Sequence, residues 1–177
     1  VGDARFGWFA DTMDLRPSDQ VLEIGPGSSP SPGLLAERVP EGKVIGVDRS
    51  ATAVTRAAAR LAPQLEAGRI GLLHADLDSS LPARLRAEFG IDRFDKILAV
   101  NVNVFWTKRP VTELATLAAL LTPAGTLHLC YGYGDPTDPA TSPKPPPGKL
   151  EAHLTTAGFL PRLRQSGDLL CVSATRA

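Results

Sequence analysis

The run Val21-Leu22-Glu23-Ile24-Gly25-Pro26-Gly27-Ser28-Ser29 brings together residue types that do chemistry at a strand end, and Val44-Ile45-Gly46-Val47-Asp48 follows it. Gly25 and Gly27 stand where a buried strand must turn sharply and let a ligand touch main chain, which glycine does without a side-chain clash. Asp48 closes the second apolar run, where an ionised carboxylate can accept two hydrogen bonds from a ribose diol. The pattern points to an adenosine-type ligand. A dinucleotide fingerprint would place a third glycine where Pro30 stands. Pyrophosphate also needs an amide-rich helix N-terminus, whereas Ser29-Pro30-Ser31-Pro32 carries two residues without an amide hydrogen. Glu23 beside the turn would repel phosphate and favour a cationic ligand. These features weigh against a nicotinamide dinucleotide.

The same residues resemble the cofactor site of the class I S-adenosylmethionine-dependent methyltransferases, and the resemblance spans the chain from about Gln20 to its end. It implies a loop of Glu23, Gly25, Pro26, Gly27 and Ser28 around the methionine end of S-adenosylmethionine, with Asp48 and its neighbour Arg49 at the ribose. In Leu73-His74-Ala75-Asp76-Leu77, Asp76 matches the acidic residue that contacts the adenine amino group, and Leu77 would cover the ring or offer its main chain. Asn101 falls where the family's chain passes the methionine moiety and the acceptor; its amide either binds ligand or satisfies loop backbone. Phe105 and Trp106 could wall an acceptor pocket, although aromatics at a strand exit more often pack in the core, and Tyr131, Tyr133 and Asp135, at or beyond strand ends, are candidates for a general base where the acceptor must lose a proton. Trp106, Tyr131 and Tyr133 are the expected substrate-facing residues. No catalytic base is assigned. Many family members carry a third glycine near Ser29, which this chain lacks.

The elements that must position these residues follow from hydrophobic periodicity. Strands are expected near 20–25, 43–48, 69–74, 94–100 and 125–131, with helices near 33–39, 50–62, 80–89 and 109–122. This alternation implies a doubly wound, mostly parallel α/β sheet with helices on both faces. Phe159 to Arg164, a Ser166-Gly167-Asp168 turn, and Leu169 to Ala174 read as a C-terminal antiparallel β-hairpin. The family resemblance makes this a seven-stranded sheet. Residues 1–19 form an N-terminal helical segment in which Phe6, Phe9 and Met13 share a helical stripe that either packs on the sheet, the safer reading, or closes over the cofactor. Gly132 to Gly148 holds six prolines and reads either as a stiff connection or, leaving a strand's carboxyl end, as a lid over the acceptor.

At 177 residues, 43% of them apolar, residues 1–177 fit one domain. Formal net charge is zero and no dense Lys/Arg run occurs, which disfavours a nucleic-acid partner. Asn-Val-Asn-Val at 101–104 replaces the Asp/Asn-Pro-Pro-aromatic motif of the family's amino-methylating nucleic-acid enzymes. Cys130 and Cys171 lie in apolar runs and read as buried free thiols of a reducing compartment. His74, His128 and His153 show no ligand spacing, so no metal is expected. The chain shows neither a signal peptide nor an apolar stretch long enough to cross a bilayer, which makes a cytoplasmic enzyme the expectation. It starts at Val1, so a lost leading segment is expected, and its Ala, Arg and Pro richness resembles proteins of high-GC bacteria. The resemblance thus implies methyl transfer from S-adenosylmethionine to a small-molecule acceptor, leaving S-adenosylhomocysteine. Its rivals are a catalytically silent S-adenosylmethionine-binding or scaffolding module and an aminopropyl transferase. Monomer and homodimer remain open.

Overall fold

The computed structural model describes residues 4–177, and the first three residues of the expected N-terminal segment lie outside them. A first helix, α1 (Ala4–Thr12), precedes β1 (Gln20–Ile24), α2 (Ser31–Arg38), β2 (Lys43–Asp48), α3 (Ala51–Arg60), α4 (Ala62–Glu66) and β3 (Ile70–His74). Then come α5 (Leu81–Phe89), β4 (Phe94–Val100), α6 (Val104–Thr107), α7 (Val111–Leu120), β5 (Leu121–Tyr131), α8 (Lys149–Thr156), β6 (Phe159–Ser166) and β7 (Leu169–Arg176). The seven strands form one sheet in the order β3-β2-β1-β4-β5-β7-β6. β1 to β5 pair in parallel, and β7 runs antiparallel between β5 and β6.

The central strands are near-continuous apolar runs because both faces of the sheet are covered. Leu22 and Ile24 point toward the layer of α5 to α8, where Leu81, Leu85, Phe105, Leu114 and Leu154 are buried. Val21 points to the other face, against Phe6, Phe9, Leu35 and Ala57 of α1, α2 and α3. The stripe Phe6, Phe9, Met13 is therefore core. Strand order reverses between β1 and β4, so the carboxyl ends of these two strands diverge into a crevice, the usual ligand position in open α/β sheets.

Among the boundaries that depart from expectation, three lie near prolines. The helix expected over 50–62 ends at Arg60 and restarts as α4, because Pro63 has no amide hydrogen to continue the ladder. The helix expected over 109–122 ends at Leu120, and β5 begins at Leu121 rather than at 125. There Phe94 pairs with Leu121 but Lys96 pairs with Thr126, so β5 bulges around Pro123, which cannot donate to the ladder.

The proline-rich segment 132–148 is laced to the hairpin turn by one side chain. Asp168, 1% exposed, accepts from the amides of Gly134 at 2.9 Å, Thr141 at 2.8 Å and Ser142 at 2.8 Å. It also accepts from the Tyr133 amide at 3.3 Å, the Ser142 hydroxyl, and Lys144 Nζ at 2.8 Å. Gly167 turns beside it with φ of 53°, and a Cβ there would lie 2.3 Å from the Pro136 carbonyl oxygen, so glycine is required. Burial by itself would raise the Asp168 pKa. The hydrogen bonds from Lys144, Ser142 and Gly134 outweigh it and hold the carboxyl below the usual carboxylate range.

Removing this acceptor leaves the half-buried Lys144 ammonium and several amides without their partner. Asp168→Ala should cost about 1–3 kcal/mol in urea unfolding and speed proteolysis within 132–148; parent-like protease resistance would contradict the assignment. Because the pKa is lowered, the stability Asp168 contributes is present above the ordinary carboxylate range and disappears as pH falls through the folded value.

Candidate functional site

The turn after β1 is held by main chain. The Gly25 amide donates to the Val47 carbonyl at 2.8 Å and the Ser29 amide to the Pro26 carbonyl at 3.1 Å. Gly25 and Gly27 have φ of 67° and 58°, the left-handed region that favours glycine. A Cβ on Gly25 would lie 3.1 Å from Val102 Cγ2, across the crevice between β1 and β4, whereas one on Gly27 would meet nothing within 4 Å. Open space over Gly27 is what a ligand touching main chain needs. Pro26 is buried, with its ring against Gly46 on β2, and Ser28 is exposed with its carbonyl accepting from the Arg60 guanidinium.

Asp48 joins the turn to its neighbours. Its Oδ2 accepts from the Gly27 amide and its Oδ1 from the Ser50 amide, both at 2.9 Å, and its carbonyl accepts from Ala75 at 3.1 Å. Each carboxylate oxygen keeps a further lone pair for a ligand. The Ala75 contact draws Asp76, exposed, and Leu77, half-buried, to the same edge. Arg49 is exposed, and its carbonyl meets His74 Nε2 at 3.0 Å.

On the β4 side the structure separates the expected residues. Asn101, with φ of 56°, spends its amide on main chain: Nδ2 donates to the Gly132 carbonyl and Oδ1 accepts from the Gly132 amide, both at 3.0 Å. Of its two readings, this geometry is the backbone one. Tyr131 is 1% exposed and its hydroxyl donates to the Val102 carbonyl at 3.0 Å. It is a core residue that props Val102, and burial raises its pKa further, so its expected place facing substrate is corrected. Phe105 is likewise core. Trp106 is half-buried on α6 with Nε1 donating to Asn103 Oδ1 at 3.2 Å, and Tyr133 is 60% exposed with the Arg5 guanidinium 5.8 Å from its ring centroid. A groove of about 540 Å³ between α7 and α8 is lined by Arg109, Val111, Leu114 and His153 and by none of the expected cofactor residues. Sequence reasoning missed Asp168, whose signal was an acid placed between a turn glycine and an apolar strand, facing a loop rich in donors.

Glu23 points to the α1–α3 face beside the start of α2 and is 1% exposed; its Oε2 has no hydrogen-bond partner. Burial pushes its pKa up to about 8, although a hydrogen bond with Ser31 pulls the other way. Without a ligand the carboxyl therefore keeps its proton at neutral pH, which corrects the argument that a Glu23 charge repels phosphate. An orphaned buried oxygen under the glycine turn still suits a cationic group, whose arrival would favour the ionised form. Because the folded pKa lies above the unfolded one, stability falls as pH rises from about 4.5 to about 8. Glu23→Gln should flatten this slope, leaving the melting temperature nearly unchanged at the acid end and raising it at the alkaline end. Equal slopes in the two proteins would refute the assignment.

Comparison with known proteins places this geometry. The family model described as a methyltransferase domain matches residues 21–125. A curated relative, ribosomal RNA small subunit methyltransferase A of Geobacter metallireducens, is 35% identical over 68 residues, which is 38% of this chain and 25% of that protein. The chain thus spans only about a quarter of that relative. A SAM-dependent methyltransferase from Aquifex aeolicus superposes with a TM-score of 0.73 at 17% identity, covering 97% of this chain and 89% of that one. The mitomycin 7-O-methyltransferase MmcR gives 0.74 at 19% identity, covering 98% and 53%. At these identities the structural matches speak for the fold, and the family model covers more than half of the chain. The chain belongs to the methyltransferase domain family, the class I S-adenosylmethionine-dependent methyltransferases with a Rossmann-like core, whose cofactor is S-adenosylmethionine.

Proposed function

We propose that this domain transfers the methyl group of S-adenosylmethionine to a small-molecule acceptor by in-line displacement. The observation that carries the reading is the open glycine turn tied to Asp48 at the crevice between β1 and β4. In the proposal Asp48 accepts from the ribose hydroxyls, Asp76 from the adenine amino group, and Leu77 covers the ring. The turn of Gly25, Pro26, Gly27 and Ser28 offers main chain to the methionine end, with Glu23 beneath it. Arg49 borders the ribose from the exposed side, and Asn101 fixes the rim of the acceptor side through Gly132.

When bound, S-adenosylmethionine supplies a methyl already activated on a positively charged sulfur. The protein's contribution is then alignment and exclusion of water. Trp106 and Tyr133 flank the space beyond β4 and β5, and the strap 132–148 is anchored there by Asp168 rather than left free. Tyr131 drops out as a proton acceptor because its hydroxyl is committed to Val102. A small acceptor is favoured by zero net charge and the absence of a basic run that would track a phosphate backbone.

Incubation with methyl-labelled S-adenosylmethionine and parallel sets of phenols, amines, thiols and total RNA tests the proposal. Label in a small molecule with S-adenosylhomocysteine released is the expected result. Label in RNA alone would overturn the acceptor class, and binding without turnover across all sets would favour the silent module. Asp48→Ala should weaken S-adenosylhomocysteine binding at least ~10-fold, about 1.4 kcal/mol; unchanged affinity would refute its place at the ribose.

A further inference from the structure

Cys130 and Cys171 take no part in the proposed reaction, yet their arrangement is specific. They stand directly opposite each other on β5 and β7, 0% and 1% exposed, with Sγ atoms 3.0 Å apart. The Cys130 carbonyl accepts from the Asn101 amide on the β4 side, so the Cys130 main chain is turned away from β7. The pair is therefore of the narrow, non-hydrogen-bonded kind, in which opposed Cα atoms lie about 4.5 Å apart. That separation falls within the roughly 4.4–6.8 Å that a disulfide spans. Two packing cysteines would need no such register.

The surroundings distinguish the two sulfurs. Thr12 Oγ1, at the end of α1, lies 3.3 Å from Cys171 Sγ, and His128 sits one opposed pair further along the same face of β5. The hydrogen bond from Cys130, followed by His128 and Thr12, favours thiolate at Cys171 against the opposing effect of burial. Cys130 is pushed the other way by burial, by its neighbour Cys171 and by Glu23. Cys171 is thus the sulfur with a hydroxyl beside it, and Cys130 stands within reach of it.

We propose that Cys130 and Cys171 are a redox-active dithiol, a modification site that hydrogen peroxide or a similarly small peroxide converts to an intramolecular disulfide. The Cys171 sulfur attacks one peroxide oxygen, the O–O bond breaks, water leaves, and Cys171 carries a sulfenic acid. The Cys130 sulfur then attacks Cys171, the S–O bond breaks as the S–S bond forms, and a second water leaves. Together the thiols lose two electrons and two protons, and hydrogen peroxide gains them. A small neutral oxidant is required because both sulfurs are buried beneath α1, where a bulky or charged oxidant could not reach them.

The test uses the full chain, reduced, desalted and exposed to equimolar and then excess hydrogen peroxide, with thiols titrated in denaturant and intact mass recorded. Both thiols should disappear together with loss of two hydrogens, and dithiothreitol should restore them. Thiols that survive excess peroxide, separate oxygen additions, or a disulfide-linked dimer would overturn the proposal. In Cys130→Ser, dimedone should capture Cys171; capture only at Cys130 in Cys171→Ser would refute the assigned attacking sulfur. These readouts do not depend on methyl transfer.

Discussion

The hydrogen bond from the Gly27 amide to the Asp48 carboxylate is the contact on which the ligand edge depends. Through it the turn after β1 is fixed to the end of β2. The other carboxylate oxygen begins α3 at Ser50, and the same residue's carbonyl holds the end of β3 through Ala75. Four segments thus converge on one side chain and its own peptide. A carboxylate suits this place because it is acceptor-only, with more lone pairs than these two amides use. Beside it, the space over Gly27 is open.

A second anchor works on the other half of the sheet. Asn101 clamps Gly132 from both sides, and the chain that leaves Gly132 is then gathered onto Asp168. The two anchors flank the reversal of strand order between β1 and β4, which the proposal makes the meeting place of cofactor and acceptor. Glu23 lies below that point with an unpartnered oxygen. Its burial costs stability in the unliganded chain, a pattern common where a fold reserves a polar group for a ligand.

The fold was legible because apolar runs of strand length alternate with amphipathic segments, and the hairpin announced itself through Ser166-Gly167-Asp168. The core role of Phe6, Phe9 and Met13 followed from helical spacing in the same way. Boundaries near Pro63 and Pro123 were less legible, since a proline says where a ladder fails but not how the chain resumes. Burial of Tyr131 and Phe105 depends on how α6 and α8 close over the sheet, which no local pattern encodes. The role of Asp168 depends on a contact with residues 24 to 35 positions away in the chain. Such long-range contacts leave only a composition signal, donors in one segment and an acid in another.

The central claim is that this edge of the sheet takes an adenosyl sulfonium cofactor and not a dinucleotide. Calorimetric titration of the purified chain with S-adenosylhomocysteine and, separately, with NAD tests it most directly. The account predicts saturable binding of S-adenosylhomocysteine at a single site and none of NAD; binding of NAD, or of neither, would contradict it.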